Sequence, residues 1–413
     1  MAQLINFDRS LQRLQFIFRY CGLTFKSKKL TPIYKLKIRC VYLLNFFWLN
    51  SDVLGGICWF IDGIQTGKTF VQLTYIAPCV SFTFLADLKA IFLIHYEDYV
   101  CELIENLREL EKNYETENVN IGYNETVVKD NRRGQYVKFL HSVLTISNIL
   151  SVVLILTFIV SPLILMALKY YQTEEVELML PFLIIYPFDS HDIRYWPFVY
   201  LHQFWSVSVV LLNICAADYL LYICCTYLGV QFRMLQHNIE NVVEKKSVLL
   251  EHELEELQKK YCQLIKWHQE LIRLANMLGF IYAESTLFNF VSSSILICLT
   301  GFNVMAMENV AFAVSFLVFL SASLLQIYMI CFFGDFLMTS STEVSDAVYH
   351  SKWYYLNVKT GKNLLILQTR AQKPCKLTAF GFADVNLNAF MSILRNAWSY
   401  FALLKTVYAP QEY

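Results

Sequence analysis

The stretch Leu387-Asn388-Ala389-Phe390-Met391-Ser392-Ile393-Leu394-Arg395-Asn396-Ala397-Trp398-Ser399-Tyr400-Phe401-Ala402-Leu403-Leu404-Lys405-Thr406-Val407 decides how the rest of the chain is read. Small or polar side chains fall at Asn388, Ser392, Arg395, Ser399, Ala402 and Thr406, at intervals of 4, 3, 4, 3 and 4. That spacing is one stripe of an α-helix. Leu387, Phe390, Met391, Leu394, Trp398, Phe401 and Leu404 take the broad opposite side. A helix that is apolar around most of its circumference and wettable along one line fits a membrane helix that lines water. It fits equally a tight helix–helix contact, where membrane bundles place small residues. Upstream, the polar segment Gly334-Asp335-Phe336-Leu337-Met338-Thr339-Ser340-Ser341-Thr342-Glu343 leads into Ala347-Val348-Tyr349-His350-Ser351-Lys352-Trp353-Tyr354.

Composition sets the class. The 413 residues are 56% hydrophobic, 16% aromatic and only 16% charged, too apolar for an ordinary soluble domain. Lys+Arg and Asp+Glu are 34 each, so no net charge points to nucleic acid or an acidic substrate. No Gly/Ser/Pro-rich linker or internal repeat divides the chain, and residues 1–413 are expected to form one domain. The twelve cysteines form no C-x-x-C pair and no metal-ligand spacing, and most fall inside apolar runs as small core residues. No phosphate loop, metalloprotease or nucleophile-elbow motif is present. The expectation is therefore no enzyme, no metal and no cofactor.

Crossing hydrocarbon takes ~20 residues. Apolar runs of that length lie at 38–62, 69–95, 139–168, 196–228, 276–303, 309–334 and 385–407, the seventh being the least hydrophobic. The fold class expected is an all-α membrane protein with seven transmembrane helices. Residues 1–37 precede the spans. Within them Phe7, Leu11, Leu14, Phe18 and Cys21 share one helical face, with Arg9, Arg13 and Arg19 elsewhere. This is too charged for a signal peptide and is predicted to be an amphipathic helix at the inner membrane surface.

Basic residues set the orientation. The segment before the first span carries nine, the second-to-third connection six, the fourth-to-fifth seven and the sixth-to-seventh six; the opposite side holds Lys68, Lys169, Arg194 and Lys405. The N-terminus is thus expected in the cytoplasm and the C-terminus outside. The sequon Asn124-Glu125-Thr126 then lies in the cytoplasm and is expected to be unmodified. Glu102, Glu105, Glu109 and Glu111 suggest a cytoplasmic extension of the second span. The fourth-to-fifth connection has the rhythm of two long helices broken near Lys245 to Leu249. Together with 335–384, such extensions would form an intracellular anchor bundle.

Polar residues inside spans carry the functional expectations. Asp87, Lys89 and Glu284 lie near inner ends, where snorkelling or anchoring is expected. Asn148, Ser151, Tyr200, Gln203 and Ser292-Ser293-Ser294 lie deeper or further out, and suit a mostly apolar pocket with a few hydrogen-bonding groups. Phe312, Phe316 and Phe319 form an aromatic stripe that is either a pocket wall or packing. Arg395 either disfavours cations along the polar stripe or makes a structural contact with the bundle.

Tyr328, Cys331, Gly334, Ser345, Ala347, Tyr349, Ser351, Trp353 and Tyr354, followed by Phe390, Ile393, Leu394, Ser399, Tyr400, Phe401 and Leu404, stand in an order that resembles the insect odorant receptors. Tyr186-Pro187-Phe188-Asp189 leading to Tyr200 and Gln203, and His268-Gln269 leading to Leu278 and Phe280, agree with it. The resemblance implies a ligand-gated, non-selective cation channel whose last helix, 385–407, lines the pore. It implies pore or gate positions at Ser392, Arg395, Ser399, Leu403, Thr406 and Val407, and subunit-anchor positions at His268, Trp353, Tyr354 and Tyr400. Depth and helix face then place a volatile-ligand pocket at Gln72, Tyr75, Ile76, Asn148, Ser151, Ile155, Phe158, Tyr200, Gln203, Phe204, Val207, Phe312, Phe316 and Phe319. The chain lacks the long insertion of the obligate co-receptor (Orco), so it resembles an odour-tuning subunit. The partners implied are that co-receptor in a heterotetramer, a small volatile organic ligand and membrane lipid, with no nucleic acid. The location implied is the plasma membrane of olfactory neuron dendrites. Competing readings are a gustatory receptor, whose Thr-Tyr…Gln-Phe signature is absent, and a G-protein-coupled receptor, which needs an external N-terminus.

Overall fold

The computed structural model describes residues 6–24, 31–118, 123–243, 251–306 and 310–408. They form an all-α bundle: α1 (Asn6–Cys21), α2 (Pro32–Gln65), α3 (Phe70–Thr74), α4 (Ala77–His95), α5 (Glu97–Asn118), α6 (Tyr123–Thr173), α7 (Trp196–Asn241), α8 (Glu251–Ala306), α9 (Val310–His350), α10 (Val358–Ala371) and α11 (Leu387–Tyr408). A two-stranded hairpin, β1 (Thr378–Ala379) and β2 (Ala383–Asp384), precedes α11. Among the described residues, six helices are long and apolar enough to cross a membrane: α2, the 72–95 segment, α6, α7, α8 and α9. The seventh, α11, has the length, but its polar stripe lowers its mean hydropathy.

Local chemistry explains the boundaries. Pro32 and Pro197 stand in the first turns of α2 and α7, where a missing N–H costs nothing. The second span was expected as one helix over 69–95; it is broken at Tyr75-Ile76 into α3 and α4. Pro78 in the first turn of α4 has no N–H to continue the ladder from α3. Thr69 and Gln72 close a reciprocal capping box at the start of α3. The seventh helix begins at Leu387, with Asn386 Oδ1 accepting from the Ala389 N–H at 2.9 Å, and Val385 belongs to the hairpin's exit. Val385 sits against Gly334, where a Cβ would lie 2.3 Å from the Val385 carbonyl oxygen. Gly334 is the point where α11 is allowed to start against α9. The polar segment Gly334–Glu343 is itself helical, inside α9.

The elements gather at one end of the bundle. Arg108 donates to Asp8 at 2.9 Å, Arg133 pairs with Glu111, and Arg273 reaches Glu102 at 3.3 Å. Arg233 meets Glu343 at 3.4 Å, and Lys352 Nζ donates to the Val243 carbonyl at 3.0 Å. These contacts join residues from all four basic connections, and a large apolar core from α1, α4, α5, α7, α8, α9 and α10 fills the space between them. At its centre runs α7, buried on every side from Ala216 to Phe232. We call this the anchor end.

Two expectations need correction here. The apolar face of α1, Phe7, Leu11, Leu14, Phe18 and Cys21, is buried in that core rather than laid on lipid. Phe7 stacks edge-on against Tyr227 at 4.9 Å, and Ser10 hydrogen-bonds its hydroxyl at 3.1 Å. Of the two roles expected for Asp87 and Lys89, snorkelling is excluded and anchoring holds: Asp87 accepts from Asn50 Nδ2 at 3.1 Å, and Lys89 pairs with Asp218 at 2.5 Å. The α7–α8 break at Lys245–Leu249 lies outside the described residues, and the sequon falls in the first turn of α6.

Candidate functional site

At the other end the helices surround a partly open cavity of about 70 Å³. Its walls come from α2 (Leu49, Asp52, Val53), the α3–α4 junction and α4 (Ile76, Cys79, Val80, Phe82, Thr83) and α6 (Leu154, Phe158). The α6–α7 connection (Phe182, Ile184), α7 (Ser206, Val207, Val210, Leu211) and α9 (Phe319) complete them. Aromatic rings frame it by edge-to-face contacts: Phe82–Phe319 at 5.0 Å, Phe158–Phe319 at 6.1 Å, Phe158–Phe316 at 6.3 Å and Tyr75–Phe316 at 5.2 Å. Such rings offer shape and polarisability with few hydrogen bonds, which suits a small apolar ligand.

The connection that caps this cavity is pinned by Gln203. Its Oε1 accepts from the Phe182 N–H at 3.0 Å, and its Nε2 donates to the Phe182 carbonyl at 3.1 Å and to the Tyr186 hydroxyl at 3.3 Å. Tyr186 also reaches His202 Nδ1 at 3.2 Å, and His202 lies 3.2 Å from Asp52. This chain of polar groups forms one rim of the cavity.

Of the fourteen ligand positions expected from depth and face, Ile76, Phe158, Val207 and Phe319 line the cavity. Tyr75, Phe312 and Phe316 stand behind it in the aromatic cluster. Ile155 packs beside it. Ser151 lines a second, deeper cavity. Gln72 is an exposed capping residue, and Gln203 is buried in the loop-pinning network. Asn148 accepts from the Tyr219 hydroxyl at 2.9 Å, the Tyr200 hydroxyl donates to the Ile159 carbonyl, and Phe204 is exposed on the outside of α7. Those five do not meet the cavity. Thirteen of its seventeen lining residues were not among those positions, Asp52, Phe182 and Ile184 included. Asp52 was detectable as a carboxylate inside an apolar run, and Phe182 and Ile184 as apolar residues in a connection that should be wet.

The last helix docks along one line. Ile393 and Ala397 are buried, with Phe390, Leu394, Phe401 and Leu404 half-buried beside them. Every residue of the polar stripe, Asn388, Ser392, Arg395, Ser399, Ala402 and Thr406, is exposed, as are Leu403 and Val407. The stripe is therefore not the contact between α11 and the rest of its own chain. Arg395 has no ion pair or hydrogen bond among the described residues, which removes the expected contact with the bundle. Of the anchor positions, Trp353, Tyr354 and Tyr400 are exposed. His268 is 3% exposed and faces Phe232 within its own chain, so it packs the bundle rather than presenting a surface to a neighbour. Burial and the nearby Arg370 guanidinium lower its pKa to about 4.

A bundle of membrane-length helices, closed at one end and hollow at the other, is the architecture of a multi-pass membrane receptor. The family model described as 7tm Odorant receptor matches residues 70–398, and the chain belongs to that family. It is 28% identical over 421 residues to odorant receptor 92a of Drosophila melanogaster, covering 98% of this chain and 97% of that one. It is 25% identical over 397 residues to odorant receptor 67c of the same species, covering 93% and 92%. The insect olfactory receptor OR5 from Machilis hrabei, solved in complex with eugenol, superposes with a TM-score of 0.78. At 16% identity, that match covers 98% of this chain and 99% of the other. Its likeness to this chain is one of fold. The protein is not an enzyme but a member of a receptor class.

Proposed function

We propose that this chain is the odour-tuning subunit of a heteromeric, ligand-gated, non-selective cation channel in the plasma membrane of olfactory neuron dendrites. The observation that carries the reading is the separation of two features within one family fold: an apolar cavity and, away from it, a last helix whose polar stripe is turned outward from its own chain. In this reading a small volatile ligand occupies the cavity; the Machilis hrabei receptor named above was solved in complex with eugenol. The N-terminus and the anchor end face the cytoplasm, where the basic connections gather. Four subunits, some of them co-receptors, bring their last helices together so that Ser392, Ser399 and Thr406 border water. Leu403 and Val407 then form the apolar gate. Ligand binding shifts the equilibrium toward the open arrangement only by the difference in its affinity for the two states. Arg395 on the same stripe disfavours a pore made of this chain alone, which is why a partner subunit is part of the proposal.

Whole-cell current, recorded from cells expressing the chain alone and with an insect odorant co-receptor, tests this against a panel of volatiles. Rapid current from the pair, without a G-protein requirement, is the expected result. Slow responses that depend on G-protein activation would overturn the channel reading.

A further inference from the structure

Beneath the apolar cavity lies a second one of about 60 Å³, lined by Ser147, Ser151, Cys215, Asp218, Tyr219, Tyr222 and Gln326 together with apolar side chains. Phe82, Leu154 and Leu211 line both cavities, so one layer of side chains separates them. The two differ in chemistry. The upper one is walled by aromatic and aliphatic groups, whereas the lower one borders the buried ion pair of Lys89 and Asp218.

The hydrogen-bond inventory of the lower cavity is lopsided. The Tyr219 hydroxyl donates to Asn148 Oδ1 at 2.9 Å, the Tyr222 hydroxyl to the Gln326 carbonyl at 3.4 Å, and Ser151 Oγ to the Ser147 carbonyl at 2.9 Å. Those three hydroxyl protons are committed. Asp218 takes one bond on each oxygen, from Lys89 at 2.5 Å and from Gln326 Nε2 at 2.8 Å, and a carboxylate has about four acceptor sites. Ser151 Oγ also lies 3.7 Å from Cys215 Sγ, where either atom can donate. The charged acceptor facing this space is the Asp218 carboxylate; the donors beside it, the second Gln326 amide N–H and the Ser147 hydroxyl, are neutral.

We infer that the two cavities form one two-compartment site whose ligand is an amphiphile with a hydrogen-bond-donating end, a straight-chain alcohol being the simplest case. The alkyl body fills the upper compartment, and the hydroxyl passes the Phe82–Leu154–Leu211 layer and donates to Asp218 or Ser151. A ketone or ester of equal length brings only an acceptor, which can meet a neutral donor such as the second Gln326 amide N–H but leaves the charged carboxylate unmatched. This inference rests on the receptor reading above and names the ligand chemistry for that site.

The test compares half-maximal concentrations for straight-chain primary alcohols with those for methyl ketones of equal length, in cells expressing the chain and co-receptor. Above a threshold length the alcohols should be favoured by about tenfold, of the order one well-made hydrogen bond to a charged acceptor supplies. Ser151→Leu and Ala322→Leu fill the lower compartment from α6 and from α9 without breaking the ion pair. Either should bring the alcohol-to-ketone ratio toward one, and using two helices guards against one variant that fails to fold. Currents with equal potency for alcohols and ketones at every length, or a preference untouched in a variant that still carries current, would overturn the inference. Silence of the unmodified pair toward all ligands would instead count against the receptor reading.

Discussion

The two ends of this bundle are built by different rules, and α7 runs through both. From Ala216 to Phe232 it is buried on all sides, within a core that joins the four basic connections and α1. From Trp196 to Ser208 the same helix alternates buried, half-buried and exposed residues around the cavity, beside a core cluster of only eleven buried residues. The anchor end is packed like a water-soluble bundle, where burying apolar groups drives folding. At the other end the surroundings proposed are lipid, so apolar packing brings little transfer energy, and voids can persist and hold ligand. One helix therefore supports a rigid frame at one end and an adaptable chamber at the other.

The contrast breaks most completely at Gly334. Gly334→Val places a Cβ 2.3 Å from the Val385 backbone oxygen, where nothing flexible can yield. We expect no properly folded receptor at the cell surface, counted by surface labelling; normal labelling would mean that α11 need not start against α9.

Next in size is a matched pair of truncations. Phe232→Ala in the anchor end, at a residue 0% exposed, should destabilise the folded protein by about 3–5 kcal/mol. Phe158→Ala at the cavity should leave the thermal midpoint in detergent nearly unchanged while raising half-maximal ligand concentration about tenfold. Equal destabilisation by the two would erase the distinction between the ends.

The ion pair between the ends offers a third comparison. Asp218→Leu strands a buried lysine and should cost about 3–5 kcal/mol, whereas the double variant with Lys89→Leu should recover most of that loss. A double variant as unstable as the single one would show that the pair does more than neutralise itself.

The smallest expected effect is the pH response of His268. Its ordinary pKa is 6.5 and burial lowers it to about 4, so between those values the unfolded chain takes up a proton that the folded chain refuses. Its contribution to stability is complete above pH 6.5 and is lost as pH falls toward 4. The slope of melting temperature against pH over that window should be shallower in His268→Gln; an unchanged slope would place the imidazole in water.

Much of this was legible in local sequence. The apolar runs located the membrane-length part of each long helix, but α6 starts at Tyr123, α8 starts at Glu251 and α9 runs on to His350, well beyond the apolar runs, and Pro78 announces the break at Tyr75-Ile76. The polar stripe on α11 was read directly, because a helix fixes which residues share a face. The cavity was far less legible. Helical period tells which residues lie together on a helix but not which neighbour that face meets, so Ile76, Phe158, Val207 and Phe319 line the cavity while Tyr200 and Phe204 turn away from it.

The sequence by itself therefore determined the number of long helices, the clustering of basic connections and the membrane character, because each follows from composition and spacing within one segment. Only the tertiary structure decided that Lys89 meets Asp218, 129 residues away, that the apolar face of α1 is spent on Tyr227 and its neighbours, and that two cavities share one wall. A partner distant in the chain leaves no local period behind. Desolvation and ion pairing act on whatever the packing brings together, and here they set the charged partners, the cavity walls and the chemistry each cavity offers.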